Sequence, residues 1–246
     1  MVNLRALLIA EKPNLAKDIE RVYRKMSFKD NITFVALSGH VLSLKYPGEY
    51  NEEWEKWQLE HLPIIPEKFE YKLDKDKTHF FNNVKNELES GNYDYVINAC
   101  DAGREGQLIF HTVYQYLNCK LPVKRLWISD TTDESIKKGL NSLIDETDKD
   151  LINLTKSAFL RSYFDWLIGM NLSRAVSLKT KATVPVGRVM TPTLALIVNR
   201  EKEILNFKPK DYWEVNVLFD GYQGIWFDKN SKKTKIGTKE KAEKIY

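Results

Sequence analysis

The 246-residue sequence predicts an α/β protein. A mainly parallel sheet with covering helices comes first, then a helical segment, then the first strands of a β-rich part. Three observations predict it. Short apolar runs alternate with helix-periodic runs across residues 1–145. Two of the apolar runs end in an acidic residue immediately before a helix. Near residue 150 the alternation gives way to one long helical pattern, followed by a hairpin signal.

The first strand is read at Leu4 to Ala10, followed by Glu11-Lys12-Pro13-Asn14 and a helix with Leu15, Ile19, Val22 and Met26 on its apolar face. Ile32 to Leu37 and His40 to Leu44 read as short strands around a Ser38-Gly39 turn. His40 suits a phosphate contact or a structural place beside the turn. Residues 46–70 form an irregular excursion in which Trp54 and Trp57, three apart, suggest a small local core. Residues 78–90 read as a helix with Phe81, Val84 and Leu88 inward.

Asp94 to Cys100 reads as a second buried strand, and a helix carries Ile109, Val113, Tyr116 and Leu117. Between them stands Asp101-Ala102-Gly103-Arg104-Glu105-Gly106. A ligand in an open α/β sheet binds outside the carboxyl ends of the strands. Asp101 and Glu105 are four apart, so both carboxylates can face one side of the turn. With small residues around them they suit a hydrated Mg2+, which takes one or two carboxylates plus phosphate oxygens. Glu11 has the same address on its own strand. If the two strands are neighbours, Glu11, Asp101 and Glu105 converge; otherwise Glu11 is a surface acid favoured by a helix dipole.

Lys124 to Ser129 reads as a further strand. Thr131 and Glu134 form a capping box for a helix carrying Ile136, Leu140 and Leu143, with Asp130 and Asp133 as capping residues. Leu151 to Thr180 is helical, with Leu154, Ala158, Phe159, Leu167 and Met170 as core candidates. Thr191 before Pro192 reads as the cap of a helix that runs to about Leu205. The preceding Gly187-Arg188 loop suits a phosphate at a helix N-terminus, or a plain turn with Arg188 paired to an acid. Trp213, Val215, Val217 and Phe219 alternate before an Asp220-Gly221 turn, and Thr238 caps a last helix.

Composition bounds the reading. A 43% hydrophobic content supports a packed core, and no apolar run reaches membrane-spanning length. No signal-peptide pattern is present, and two cysteines, Cys100 and Cys119, make no disulfide framework. A reduced, cytoplasmic protein without membrane attachment is expected. The net charge of +4 hides an asymmetry: residues 1–150 carry 21 Lys+Arg and 25 Asp+Glu (−4), and residues 151–246 carry 17 and 9 (+8). An acidic half joined to a basic half suggests phosphate chemistry on a polyanion, although Lys-rich surfaces are also simply solvated.

Four stretches in order resemble the N-terminal part of the type IA DNA topoisomerases, most closely the bacterial topoisomerase III branch. They are Leu8-Ile9-Ala10-Glu11-Lys12-Pro13, Asp101 to Gln107, Phe164 to Ala175, and Val186-Gly187-Arg188-Val189-Met190-Thr191-Pro192-Thr193-Leu194. The resemblance implies a TOPRIM metal-binding domain over 1–150, a helical DNA-binding domain over 151–207 and the start of an arch over 208–246. It implies Mg2+ on Glu11, Asp101 and Glu105, with catalytic roles for Glu11, Lys12 and Arg188. It implies single-stranded DNA contacts by Arg104, Arg161, Asn171, Arg174, Arg188 and Thr191, and a monomeric chain. Two departures stand out. Gly103 occupies a position where the family usually has a second Asp, and the family's nucleophilic tyrosine is expected beyond residue 246. The chain therefore reads as a fragment that binds single-stranded DNA without cutting it. A TOPRIM-type nuclease or primase and a non-catalytic DNA-binding module are the rival readings.

Overall fold

The first strand, β1 (Arg5–Ala10), is buried from Ala6 onward because apolar residues face both sides of a covered sheet. The computed structural model describes residues 3–246. Pro13 opens α1 (Pro13–Tyr23), which turns Ala16, Ile19 and Val22 inward. β2 (Asn31–Ala36) returns parallel to β1, pairing Ala10 with Ala36. β3 (Leu42–Leu44) and β4 (Tyr71–Leu73) pair antiparallel across the excursion between them. α2 (Thr78–Glu89) buries Phe81 and Val84. β5 (Tyr95–Ala99) lies parallel to β1 on its other side, with Ala10 opposite Ala99. α3 (Arg104–Tyr116) follows it.

β6 (Val123–Arg125), α4 (Asp133–Asn141) and β7 (Ile144–Asp145) complete a five-stranded sheet in the order β2-β1-β5-β6-β7. Its first four strands are parallel and β7 is antiparallel. One apolar cluster, centred on Leu8, Ile19, Ile97 and Ile136, packs on one face. The other, centred on Leu7, Phe81, Val96 and Ile109, packs on the opposite face. A mainly parallel sheet with helices on both faces is therefore present, as the alternation predicts. Both cysteines are free.

The expected strand over Lys124 to Ser129 is cut short after Arg125. The fully buried Arg125 side chain explains why. Its Nη1 donates to the carbonyls of Asn98 (2.9 Å), Cys100 (2.7 Å) and Leu126 (3.0 Å), and its Nη2 to that of Asp101 (2.7 Å). The carbonyl of Cys100, which a continuing strand would use, is taken by a side chain, so the chain peels away. Burial pushes the guanidinium pKa down. Among the described residues no carboxylate forms an ion pair with it.

The cap of α4 is Thr132, whose hydroxyl accepts from the Ser135 amide, rather than Thr131. Asp130 supports it, accepting from the Thr132 amide and hydroxyl. Asp133 does not cap: it pairs with Arg21 at 2.8 Å and ties α4 to α1.

α5 (Lys149–Thr180) is capped by Asp148 and packs on α3 through Leu108, Ala158 and Phe159. A buried polar chain reinforces the contact. Asn98 donates to Gln107 (2.8 Å), and Gln107 donates to Glu146 (2.6 Å) and to Thr155 of α5 (2.9 Å). His111 also reaches Glu146 at 2.6 Å. Burial would raise the Glu146 pKa, but hydrogen bonds from His111 and Gln107 and the charge of Arg125 hold it below the usual carboxylate range.

Packing divides the chain into residues 1–190 and 191–246. α5, which follows residue 148, packs with the sheet in the first unit. The second unit contains both the helix that runs to Leu205 and the hairpin after it. That unit holds α6 (Met190–Leu205, whose first residue closes the first unit), the hairpin β8 (Asn216–Phe219) and β9 (Tyr222–Ile225), and α7 (Lys239–Ile245). Gly221, at φ 85°, makes the hairpin turn, and Thr238 caps α7 as expected. α6 begins at Met190, so Thr191 lies in its first turn and is not its cap. Among the described residues no helix is long and apolar enough to cross a membrane.

Arg125→Met removes the side-chain donor from the carbonyls of Asn98, Cys100, Leu126 and Asp101 without removing bulk. A loss of about 3 kcal/mol in urea unfolding is expected, the usual cost of stranding buried polar groups. A loss below about 1 kcal/mol would mean that those carbonyls find water instead.

Candidate functional site

β1 and β5 are adjacent and parallel, so the residues just past their carboxyl ends meet. Glu11 follows Ala10 and is 6% exposed; Asp101 follows the end of β5 and is exposed. The Asp101 amide donates to Glu11 Oε2 at 3.3 Å. Lys12 bridges the pair, its Nζ lying 3.0 Å from Glu11 Oε1 and 3.6 Å from Asp101 Oδ2. The hydrogen bond to Glu11, then the fields of Glu11 and Asp101, hold the Lys12 pKa above its ordinary value.

The turn after Asp101 depends on two glycines. Gly106 backs onto Asp101 so closely that a Cβ there would lie 2.0 Å from the Asp101 carbonyl oxygen. Gly103 sits at φ 155°, a conformation that L side chains rarely adopt, with open space around it.

The third expected acid is turned elsewhere. Glu105, in the first turn of α3, accepts from or donates to His40 Nε2 at 2.6 Å according to protonation. The His40 carbonyl in turn accepts from Lys77 at 2.6 Å. Among the described residues, no three His, Cys, Asp or Glu side chains form a metal-sized cluster. The structure thus brings Glu11 and Asp101 together and leaves Glu105 paired with His40.

Glu105 and His40 open onto a cleft of about 290 Å3 that Arg104, Arg161, Ser162 and Asp165 also line. Asp165 is the hinge of its charges. Arg188 Nε donates to it at 2.5 Å and Arg161 stands 3.7 Å away. The bond to Arg188, and then its charge, hold the Asp165 pKa below the usual range. Arg188 is thus paired with an acid, at the edge of the same cleft that Asp165 lines.

Asn171 and Arg174 have structural tasks. The Asn171 amide accepts from the Ile64 amide (2.6 Å) and donates to the carbonyls of Ile64 and Leu167 (2.9 Å each), clipping the excursion onto α5. Arg174 is buried, donates to the Trp54 carbonyl at 2.6 Å and lies 5.4 Å from the Trp57 ring centre. Burial lowers its pKa. Trp54 and Trp57 therefore do not form a local core of their own; they hold an arginine of α5. Arg125, Asn98 and Gln107 escaped the sequence reading. The available signal was polar side chains inside runs that otherwise read as buried strand and helix.

A parallel sheet with strand-end acids on adjacent strands, followed by a helix facing a basic cleft, defines a Toprim-type architecture. The Toprim domain family matches residues 6–131, and the DNA topoisomerase family matches residues 149–246. DNA topoisomerase 3 of Bacillus subtilis is 37% identical over 98% of this chain and 34% of its own length. That of Bacillus licheniformis is 38% identical over 94% of this chain and 32% of its own. The full-length topoisomerase I structure from Thermotoga maritima matches with a TM-score of 0.64 and 25% identity, over 97% of this chain and 37% of that one. The chain belongs to the type IA DNA topoisomerases. It spans about a third of the length of the relatives it matches.

Gly103→Asp, which would place an acid at the vacant position of the motif, forces an L residue to φ 155°. A stability loss of about 1–3 kcal/mol in thermal or urea unfolding is expected. An unchanged midpoint would mean that the turn relaxes freely.

Proposed function

We propose that this chain is the metal-and-groove part of a topoisomerase III-like enzyme. That enzyme cuts one DNA strand, passes another through the gap and reseals it, without ATP. The observation that carries the reading is the Glu11–Lys12–Asp101 cluster at the ends of adjacent parallel strands. The attacking tyrosine is to come from outside these 246 residues. Its oxygen forms a bond to the scissile phosphorus as the bond to the 3′ oxygen breaks.

Lys12 supplies positive charge beside the phosphate, and Glu11 stands where it can hold or deliver the proton that the 3′ oxygen gains. Arg188, positioned by Asp165, adds a second cation. Arg104 and Arg161 face the same cleft and are suited to backbone phosphates. Thr191 is a further candidate DNA contact in the first turn of α6, where backbone amides favour anions. Asn171 and Arg174 serve the groove by fixing its wall.

The fit to Mg2+ rests on the donor set. Two hard carboxylates already share one cation, the Lys12 ammonium, and a hydrated Mg2+ asks for little more. Glu11 and Asp101 would hold it, with Glu105 joining only on leaving His40. When bound it would supply charge neutralisation that keeps the DNA ends aligned. The protein is expected to be monomeric and cytoplasmic.

Fluorescence anisotropy with single- and double-stranded oligonucleotides tests the reading. The chain is expected to prefer single strands, with affinity falling steeply as salt rises, and to leave DNA uncut. Mg2+-dependent nicking by this chain, lost in Glu11→Gln and without covalent attachment, would instead make it a nuclease. Calorimetric titration tests the metal. Asp101→Asn should abolish Mg2+ binding, and Lys12→Met, which removes the resident cation, should tighten it. An Asp101→Asn protein that binds Mg2+ normally would remove the site from this pair.

A further inference from the structure

A second cleft, of about 450 Å3, opens on the other flank of Asp101, between α1 and the segment that leaves β6. None of the roles above uses it. Leu15 and Ile128 give it an apolar wall, and the Trp127 side chain lines it while remaining 39% exposed. An exposed tryptophan beside a polar strand end needs a reason. Its ring is backed by the Arg125 guanidinium, 5.1 Å from the ring centre. A cation behind an indole holds the ring in place.

The polar rim is selective. Asp130 Oδ1 accepts from both the amide and the hydroxyl of Thr132, at 2.9 and 2.6 Å, and Oδ2 accepts from the Ser135 hydroxyl at 2.9 Å. One acceptor position on Oδ2 remains, on a carboxylate that cannot rotate. Ser129 and Thr131 add hydroxyls to the rim. With Asp101 and Asp130 both bordering it, the cleft repels phosphate, while Lys12 on the neighbouring side of Asp101 attracts it. A flat, uncharged, aromatic group with an amino donor matches this lining, and the volume lies within the roughly 300–1,000 Å3 of ligand pockets.

We infer that this cleft seats one unpaired nucleobase of the strand whose phosphate lies at Glu11–Lys12–Asp101, stacked on Trp127 and offering an exocyclic amino group to Asp130. Adenine, cytosine and guanine carry such a group and thymine does not. The inference rests on the single-stranded DNA reading given above. It adds a base-recognition position that works through stacking and one hydrogen bond.

The experiment walks one abasic site along a single-stranded oligonucleotide and measures affinity for the 246-residue chain and its Trp127→Ala variant. One position is expected at which losing the base weakens binding by roughly five- to a hundredfold, the range of base–aromatic stacking. At that position Trp127→Ala should cost the same with the base present and nothing with it absent. Thymine there should bind less well than the other three bases. Equal loss in Trp127→Ala at every position, or no abasic effect that depends on Trp127, overturns the cleft while leaving DNA binding intact. Absence of binding to any oligonucleotide overturns both. Photocrosslinking of the unaltered chain to halogenated oligonucleotides gives a check that needs no variant. Attachment within residues 126–131 supports the inference, and attachment only elsewhere overturns it.

Discussion

One buried guanidinium organises the carboxyl end of the sheet. Strands leave their carbonyls unpaired where they end, and a crevice that binds ligands must expose those ends. Arg125 resolves the conflict by reaching from β6 under the end of β5 and collecting the carbonyls of Asn98, Cys100 and Asp101. Five donors in a planar fork make this feasible for arginine and for no other side chain. The cost is a buried charge met directly by carbonyl dipoles, with the Glu146 carboxylate acting through its field rather than through an ion pair. The gain is that the Asp101 turn is held from beneath, with its amide on Glu11 and its carboxylate 3.6 Å from the Lys12 ammonium.

That anchoring extends to α5. Asn98 accepts from Arg125 and from the Cys100 amide, and donates to Gln107. Gln107 in turn donates to Thr155 on α5. The helix that lines the basic cleft and the strand that ends at Asp101 are thus joined through hydrogen bonds among buried groups. A half-satisfied network of this kind would be costlier than an apolar contact; among its described atoms Glu146 Oε2 and Arg125 Nε have no partner.

Much of the fold was legible because its signals are local. Apolar runs of strand length, Pro13 after a strand end and Asp220-Gly221 in a hairpin each encode their own geometry. Where the reading failed, the deciding partner was distant in sequence. β6 stops at Arg125 because of carbonyls on β5. Asp133 caps nothing because Arg21 of α1 claims it.

The site divides the same way. Glu11 and Asp101 could be placed together from strand order alone, since matching addresses on adjacent parallel strands converge. Glu105 could not, because its neighbour His40 lies 65 residues away and competes for the same carboxylate. A similar competition governs the cations. An arginine near a phosphate groove can serve the ligand or the wall, and burial decides which. Arg174 is buried with a carbonyl partner, so its charge is spent on the wall. Arg104 and Arg161 stay exposed at the cleft, and Arg188 is exposed but held by Asp165. A phosphate entering there meets a guanidinium whose direction is already set, so it gains a charge contact without paying to order a free side chain.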